Sequence, residues 1–382
     1  MSLRVPVALD GVIRRYAWGS TTAMQQLLGV APDSRPAAEL WFGAHPDDPS
    51  DVPAHGATLA DLIADDPAAA LGPAVLARFG PQLPFLLKVI AAERPLSIQV
   101  HPSRADAQRG FAAEDAAGIA RTAANRNYRD PNHKPELLCA LTPFEGLCGF
   151  RPVGRTLALL DELRLPELAF LRDALRGPDP LRTAFTAVLR HDEPARLATA
   201  VASRASAATD GPLRAVRLAA DTYPDDVGLV VLLLLNYLRL EPGEAIFLGA
   251  GNVHCYLRGT GVEVMANSDN VLRCGFTPKH VDVDELLRVT DFTALAEPRW
   301  PSERGAFDVP VPDFRLSRLD LVDIDEPTGL DDLGPSIVLC ADGKAEVGEV
   351  ALSAGRAAFV PADTPTRIAG TGQVFIAGVG TF

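Results

Sequence analysis

The chain has 382 residues, 47% apolar and 22% charged, the proportions of an ordinary globular protein with room for two or three domains. Its 49 Asp plus Glu outnumber 36 Lys plus Arg, for a formal net charge of −13, so a nucleic acid is excluded as an expected partner. The longest apolar run, Leu229 to Leu235, is too short to span a bilayer, and no secretory leader pattern is visible at Met1 to Gly19, so no membrane contact is expected either.

In chain order, the part up to about Pro102 predicts short strands. Apolar runs at Ala38–Phe42, Phe85–Ile90 and Leu96–His101 are separated by Pro, Gly and Asp clusters. Thr58–Phe79 predicts helix, with Thr58 as its cap. Along Leu96–His101, Ile98 and Val100 share one face while Ser97, Gln99 and His101 share the other. That pattern suits a strand lining a polar pocket of a β-barrel, although a solvated polar face gives the same alternation. Pro102 ends the strand.

Ser103 to Arg129 is Ala-rich and charged, which predicts helix and loop. Asp130 to Glu136 then carries two prolines before the apolar run Leu137–Leu141, and Lys134 and Glu136 share a face where that strand begins. Only four lysines occur, Lys88, Lys134, Lys279 and Lys344, in a chain otherwise using Arg. A lysine offers a compact charge and an amine that titrates, so Lys134 and Lys279, both in motif-like stretches, stand out. Pro152 to Leu240 changes character. Leu157–Leu163, Phe170–Leu175, Ala184–Leu189, Ala195–Ala202 and Val227–Leu238 predict helices divided by Pro and Gly. Gly249 to Lys279 follows, with a His, a Glu, an Asp, an Arg and a Lys on short strands around tight Gly turns. The five cysteines, Cys139, Cys148, Cys255, Cys274 and Cys340, lack any framework spacing and fit free thiols in a cytoplasmic protein.

Leu240–His254 resembles Leu352–Thr366 without a gap, pairing Leu240 with Leu352, Gly243 with Gly355, Phe247 with Phe359 and Ala250 with Ala362. Each copy reads as turn, strand, turn, strand, the repeated element of a jelly roll of the cupin kind. Thr366 stands where His254 does, so the second copy is expected to hold no metal. The fold expected is mainly β with an α insertion: two cupin-like jelly-roll domains and a helical domain. The expected boundaries are 1–151 with 238–295 for the first β-domain, 152–237 for the helices and 296–382 for the second β-domain.

Gln99 and His101 from one strand, Glu136 from another and His254 from a third are a donor set that suits a borderline divalent ion such as Zn²⁺. LLKVIAAERPLSIQVHPS, NHKPELLCAL and GNVHCYLRGTGVEVMANSDNVLRCGFTPKHVDV resemble the hallmark stretches of the type I phosphomannose isomerases, and RYAWGS and AELWFGAHP resemble that family's N-terminal segments. The resemblance runs to about Asp284. It implies one Zn²⁺ per chain on Gln99, His101, Glu136 and His254, and a catalytic arginine at Arg273. Ser97, Lys134, Tyr256, Glu263, Asp269 and Lys279 match other pocket positions. Cys255 and Cys274 stand where the family commonly has Ala or Gly.

The resemblance further implies interconversion of mannose 6-phosphate and fructose 6-phosphate, a proton moving between C2 and C1 through a cis-enediol. Arg273 then faces the developing oxyanion, Lys134, His101, Glu263 and Asp269 are the candidate bases, and Lys279 and Ser97, with Lys134 or Arg273, meet the phosphate. His101 is disfavoured as the base once its lone pair binds metal. The expected partner is a small phosphorylated sugar, and a monomer is expected. An Fe²⁺ cupin oxygenase on two His and one carboxylate is the alternative, against which the Gln and the neighbouring cations argue; a non-catalytic sugar-phosphate sensor is the second.

Overall fold

The computed structural model describes residues 3–322, 328–330 and 334–380. It is mainly β, built on two large antiparallel sheets of eleven and eight strands, with six α-helices between Val153 and Val231. Among the described residues neither sheet closes on itself, so the pocket lies in an open jelly-roll arrangement rather than a closed barrel.

The larger sheet is organised by the long strand His254–Ala266. Its second half lies between Phe85–Ala92 and Glu136–Ala140, with Glu263 opposite both Lys88 and Leu138. Its first half leaves those partners and pairs with Phe144–Phe150 and, at His254, with Gln99. The bend falls at Gly259, whose φ is +129°. A Cβ there would meet Phe144 and the Pro143 carbonyl at 2.8 Å, so only glycine lets the strand cross at this point. One strand thereby carries His254 and Glu263 to different parts of the same pocket.

The helices pack against the outer face of that pocket. Ile98, Val100, Leu147 and Leu257 share one buried cluster with the helical residues Leu160, Phe185 and Val201. Ile98 and Val100 are thus spent on the core, and Gln99 between them is left on the opposite, half-buried face. The helices run Val153–Leu163, Ala169–Leu175, Pro180–Leu189, Pro194–Ala205, Gly211–Ala220 and Gly228–Val231. Two differences from the sequence expectation stand out. Val227–Leu238 is not one helix: it breaks at Leu235, where Leu235–Leu240 becomes a strand against Phe144–Phe150. A fully buried strand reads as a continuous apolar run, which periodicity alone does not separate from a buried helix. Gly211–Ala220 is helical as well, in a stretch where no helix was expected.

The eight-stranded sheet holds Arg356–Val360, Ser336–Val347 and Thr366–Gly378 side by side. Val7–Leu9 adds to its edge against Arg356–Val360, so the expected segment 1–151 does not lie wholly with the larger sheet. The two sheets also share a core, with Phe42, Leu87 and Val264 in one cluster with Phe314, Ile337 and Phe359. The repeat has a geometric counterpart. The strands that begin at the aligned His254 and Thr366 are each 13 residues long.

Candidate metal centre and active site

Three strands and two loops converge on one buried point. His101 directly follows the strand Ile98–Val100, Glu136 begins another strand and His254 begins the long one. Nε2 of His101 and Nε2 of His254 each lie 3.5 Å from the same carboxylate oxygen, Oε2 of Glu136. Both Nδ1 atoms face backbone carbonyls, His101 that of Asn270 at 2.8 Å and His254 that of Asn252 at 3.0 Å. A carbonyl only accepts, so each Nδ1 carries a proton, the tautomer that in the neutral ring turns the Nε2 lone pair towards Glu136. Nε2 of His101 is buried without a hydrogen-bond partner.

Two lone pairs and a carboxylate oxygen facing one another in a dry site repel unless a cation sits between them. Donors about 2.1 Å from a tetrahedral zinc are separated by roughly 3.4 Å, close to the spacing seen. The residues therefore fit a divalent ion. Gln99 lies directly opposite His254 in the strand register, and opposite Arg273 on its other side. Burial, reinforced by the Lys134 charge, pushes His101 down to about 4, so it is neutral and ready to ligate at neutral pH. Glu136 is opposed by burial, yet the Lys134 charge beside it holds it below the usual carboxylate range. Its other oxygen, Oε1, accepts from the Lys134 ammonium at 2.7 Å.

The floor beside this centre is a second buried charge group. Trp41, Lys88 and Glu263 occupy one row across three strands. Lys88 lies 3.6 Å from Glu263 and 3.9 Å from Glu39, and its ammonium sits 4.9 Å from the centre of the Trp41 ring. Trp41 donates to Glu39 at 2.5 Å and the Tyr256 hydroxyl donates to Glu263 at 2.7 Å. Burial would discharge Lys88, but Glu39 and Glu263 raise it above the ordinary lysine value, so it stays an ammonium. Burial and the Glu136 charge push Glu263 up to about 7.

The mouth of the pocket is cationic. Burial, then the charge of Arg129, lowers Arg273, and burial together with Arg273 and Arg129 lowers Lys279. The Lys279 side chain is exposed and Ser97 is half-buried next to the Gln99 strand. Asp269 is 37% exposed and stands 3.7 Å from Nε2 of His45. His45, Asp47 and Asp269 form a second group close enough to suggest a metal. It is poorly suited to one: Nδ1 of His45 accepts the Asp47 backbone N–H at 3.2 Å, so the proton sits on Nε2 and no lone pair faces the carboxylates.

The structure thus gathers His101, Glu136, His254, Lys134, Glu263 and Tyr256 in one buried group, with Gln99 and Arg273 in adjoining register and Asp269, Lys279 and Ser97 towards solvent. Sequence reasoning missed Glu39, Arg129, His45 and Asn270. Glu39 was legible in principle, because Glu-x-Trp on a strand places both side chains on one face. Nothing in the sequence marks the other three.

A family model described as phosphomannose isomerase type I, catalytic domain, matches residues 7–153. Mannose-6-phosphate isomerase of Escherichia coli (strain K12) is 42% identical over 95% of this chain and 96% of its own length. The chain belongs to the mannose-6-phosphate isomerase family. The Bos taurus member is 33% identical over 82% of the chain and 81% of its own length. A solved mannose 6-phosphate isomerase with zinc bound superposes with a TM-score of 0.91 at 38% identity, covering 99% of this chain and all of that one. Within the family, then, a zinc-bound member shares this fold across its length.

Proposed function

We propose that this chain interconverts mannose 6-phosphate and fructose 6-phosphate, with one zinc ion held by Gln99, His101, Glu136 and His254. The observation that carries this reading is the pair of imidazole Nε2 atoms converging on one Glu136 oxygen while each ring's Nδ1 faces a backbone carbonyl. The chemistry a bound divalent ion supplies here is Lewis-acid polarisation of the sugar oxygens at C1 and C2.

The chain's own residues do the rest. Arg273, opposite Gln99 in the strand register, places a permanent charge beside the oxygen that turns anionic as the C2 proton leaves. Lys134 is tied to Glu136 at 2.7 Å, which fixes that carboxylate and keeps a second cation at the reacting end. Glu263 is the carboxyl whose environment suits a proton carrier. At about 7 it accepts a proton and returns it near neutral pH, as transfer across one face of an enediol requires. Tyr256 orients it from below. Asp269, over a third exposed, suits the outer end of the pocket, where ring opening exchanges protons with solvent. Lys279, with Ser97 on the pocket wall, meets the phosphate.

The reading places the enzyme in the cytoplasm as a monomer acting on a small phosphorylated sugar. No described helix is long and apolar enough to cross a membrane. Phosphorus NMR of the zinc-loaded protein with mannose 6-phosphate tests the assignment. Appearance of fructose 6-phosphate, approached to the same ratio from either sugar, is expected. Oxygen uptake with no sugar interconversion would instead establish an oxygenase.

A further inference from the structure

Asn270 is fully buried and hydrogen-bonded at every polar atom, its side-chain nitrogen also reaching the Asp130 carboxylate at 3.3 Å. Its carbonyl accepts the Nδ1 proton of His101 at 2.8 Å. Its side-chain oxygen accepts the backbone N–H of Arg129 at 2.7 Å and of Asp130 at 3.3 Å. Its side-chain nitrogen donates to the carbonyls of Asp130 at 2.7 Å and Asn132 at 2.8 Å. Its own N–H reaches Ser268 Oγ at 3.2 Å. An amide has two acceptor sites and two donors, and this one uses all four on a single loop.

The loop answers in kind. Asp130 accepts from the backbone N–H of Asp269 at 2.8 Å and from Ser268 Oγ at 2.8 Å. The two segments are therefore zipped together over Asp130–Asn132 and Ser268–Asn270. One runs on through Lys134 to Glu136, the other through Leu272 to Arg273. His101, from a third segment, leans on the zip through its ring. A metal-binding imidazole is aimed by whatever holds its other nitrogen. Here that group is a carbonyl whose position depends on the Asn270 side chain.

We infer that Asn270 is the positioning residue of the metal centre: it sets the aim of His101 and, with the same side chain, the place where the Glu136 strand enters. Aspartate keeps the acceptors, loses both donors and sets a second carboxylate against Asp130; alanine removes the partner of the Arg129 and Asp130 N–H groups and of the Asp130 carbonyl, and leaves the Asn132 carbonyl with Ser268 Oγ alone. The inference rests on the metal-centre reading above, and the two failures are distinguishable: a wild-type chain that binds no zinc sinks both, whereas zinc bound alike by wild type and variants sinks the inference alone.

The test uses the full chain as wild type, Asn270→Asp and Ser268→Ala, the last cutting the zip away from the amide in case the first does not fold. Zinc affinity is read by competition with a chromogenic chelator, coordination by the visible spectrum of the cobalt-loaded protein, and fold by the melting of the metal-free protein. Zinc binding weaker by about 10–100-fold in Asn270→Asp, with a changed cobalt spectrum, is expected, as for other groups that aim a metal ligand. Ser268→Ala is expected to shift both in the same direction by less. Zinc affinity and cobalt spectrum equal to wild type in the folded variants would overturn the inference and leave Asn270 a stabiliser of the loops only, whatever the melting temperature does.

Discussion

Replacing Lys88 by Met removes one ammonium from between two buried carboxylates. At an effective dielectric of about 20, a charge pair near 4 Å is worth ~4 kcal/mol, and Lys88 makes two such pairs, at 3.6 and 3.9 Å. Part of that sum only offsets the cost of burying the ammonium, so the expected net loss is about 3–5 kcal/mol, typical of a buried ion pair broken on one side. The sign with pH follows from the titrations. Lys88 is held above its ordinary value, so its contribution is fully present throughout the neutral range and is lost only as pH climbs past its own high titration. Glu263 sits at about 7 with Lys88 present. Without the ammonium it rises further, and a folded carboxyl raised above its unfolded value loses stability as pH increases. The gap between wild type and Lys88→Met should therefore widen above about pH 7. Urea unfolding at about pH 6 and about pH 8.5 measures it. The double variant Lys88→Met/Glu263→Gln should recover ~2 kcal/mol or more of the loss at the higher pH, because it removes the stranded charge. A loss below ~1 kcal/mol that ignores pH, or a double variant no more stable than the single, would refute the reasoning.

His254→Ala deletes one of the four proposed donors. Sharing roughly 12 kcal/mol of zinc binding among them gives ~3 kcal/mol each, so chelator competition should show zinc held about two orders of magnitude more weakly; unchanged affinity would remove His254 from the ligand set. Arg273→Ala should lower kcat by ~10²–10³ with zinc still bound, whereas a change confined to melting temperature would make the arginine structural. Glu145 accepts from Arg214 at 2.6 and 2.7 Å and from the Tyr237 hydroxyl at 2.6 Å, joining the Phe144–Phe150 strand to the helical layer. Burial raises its carboxyl, but Arg214 and Tyr237 hold it below the ordinary value, so its contribution is present above the usual carboxylate range and is lost as pH falls through its folded value. Glu145→Gln should cost about 1.5–3 kcal/mol at neutral pH, a difference that unfolding measurements should find shrinking towards about pH 4.

The residues proposed to hold the metal stood out in the sequence because they sit where strand grammar is simplest. Alternation across Leu96–His101 put Gln99 and His101 on one face, and the core duly takes Ile98 and Val100. Lys134 and Glu136 followed from two-residue spacing. Lysine rarity pointed to Lys134 and Lys279 but not to Lys88, whose bridge between Glu39 and Glu263 depends on cross-strand registers no local pattern encodes. Asn270 was invisible for the same reason: its partners lie over 130 residues away in the chain. The division at Leu235 was missed because a buried strand and a buried helix are both continuous apolar runs. Val7–Leu9 follows its neighbours in sequence but joins the eight-stranded sheet as an edge strand against Arg356–Val360, a pairing that no local pattern encodes.

The most direct test of the account is isomerase activity on mannose 6-phosphate followed through removal and return of the metal, with bound zinc measured in the same samples. The account predicts one zinc per active chain, loss of turnover in proportion to zinc removed by a chelator, and recovery on adding zinc back. Full turnover in protein shown to be free of metal would contradict it.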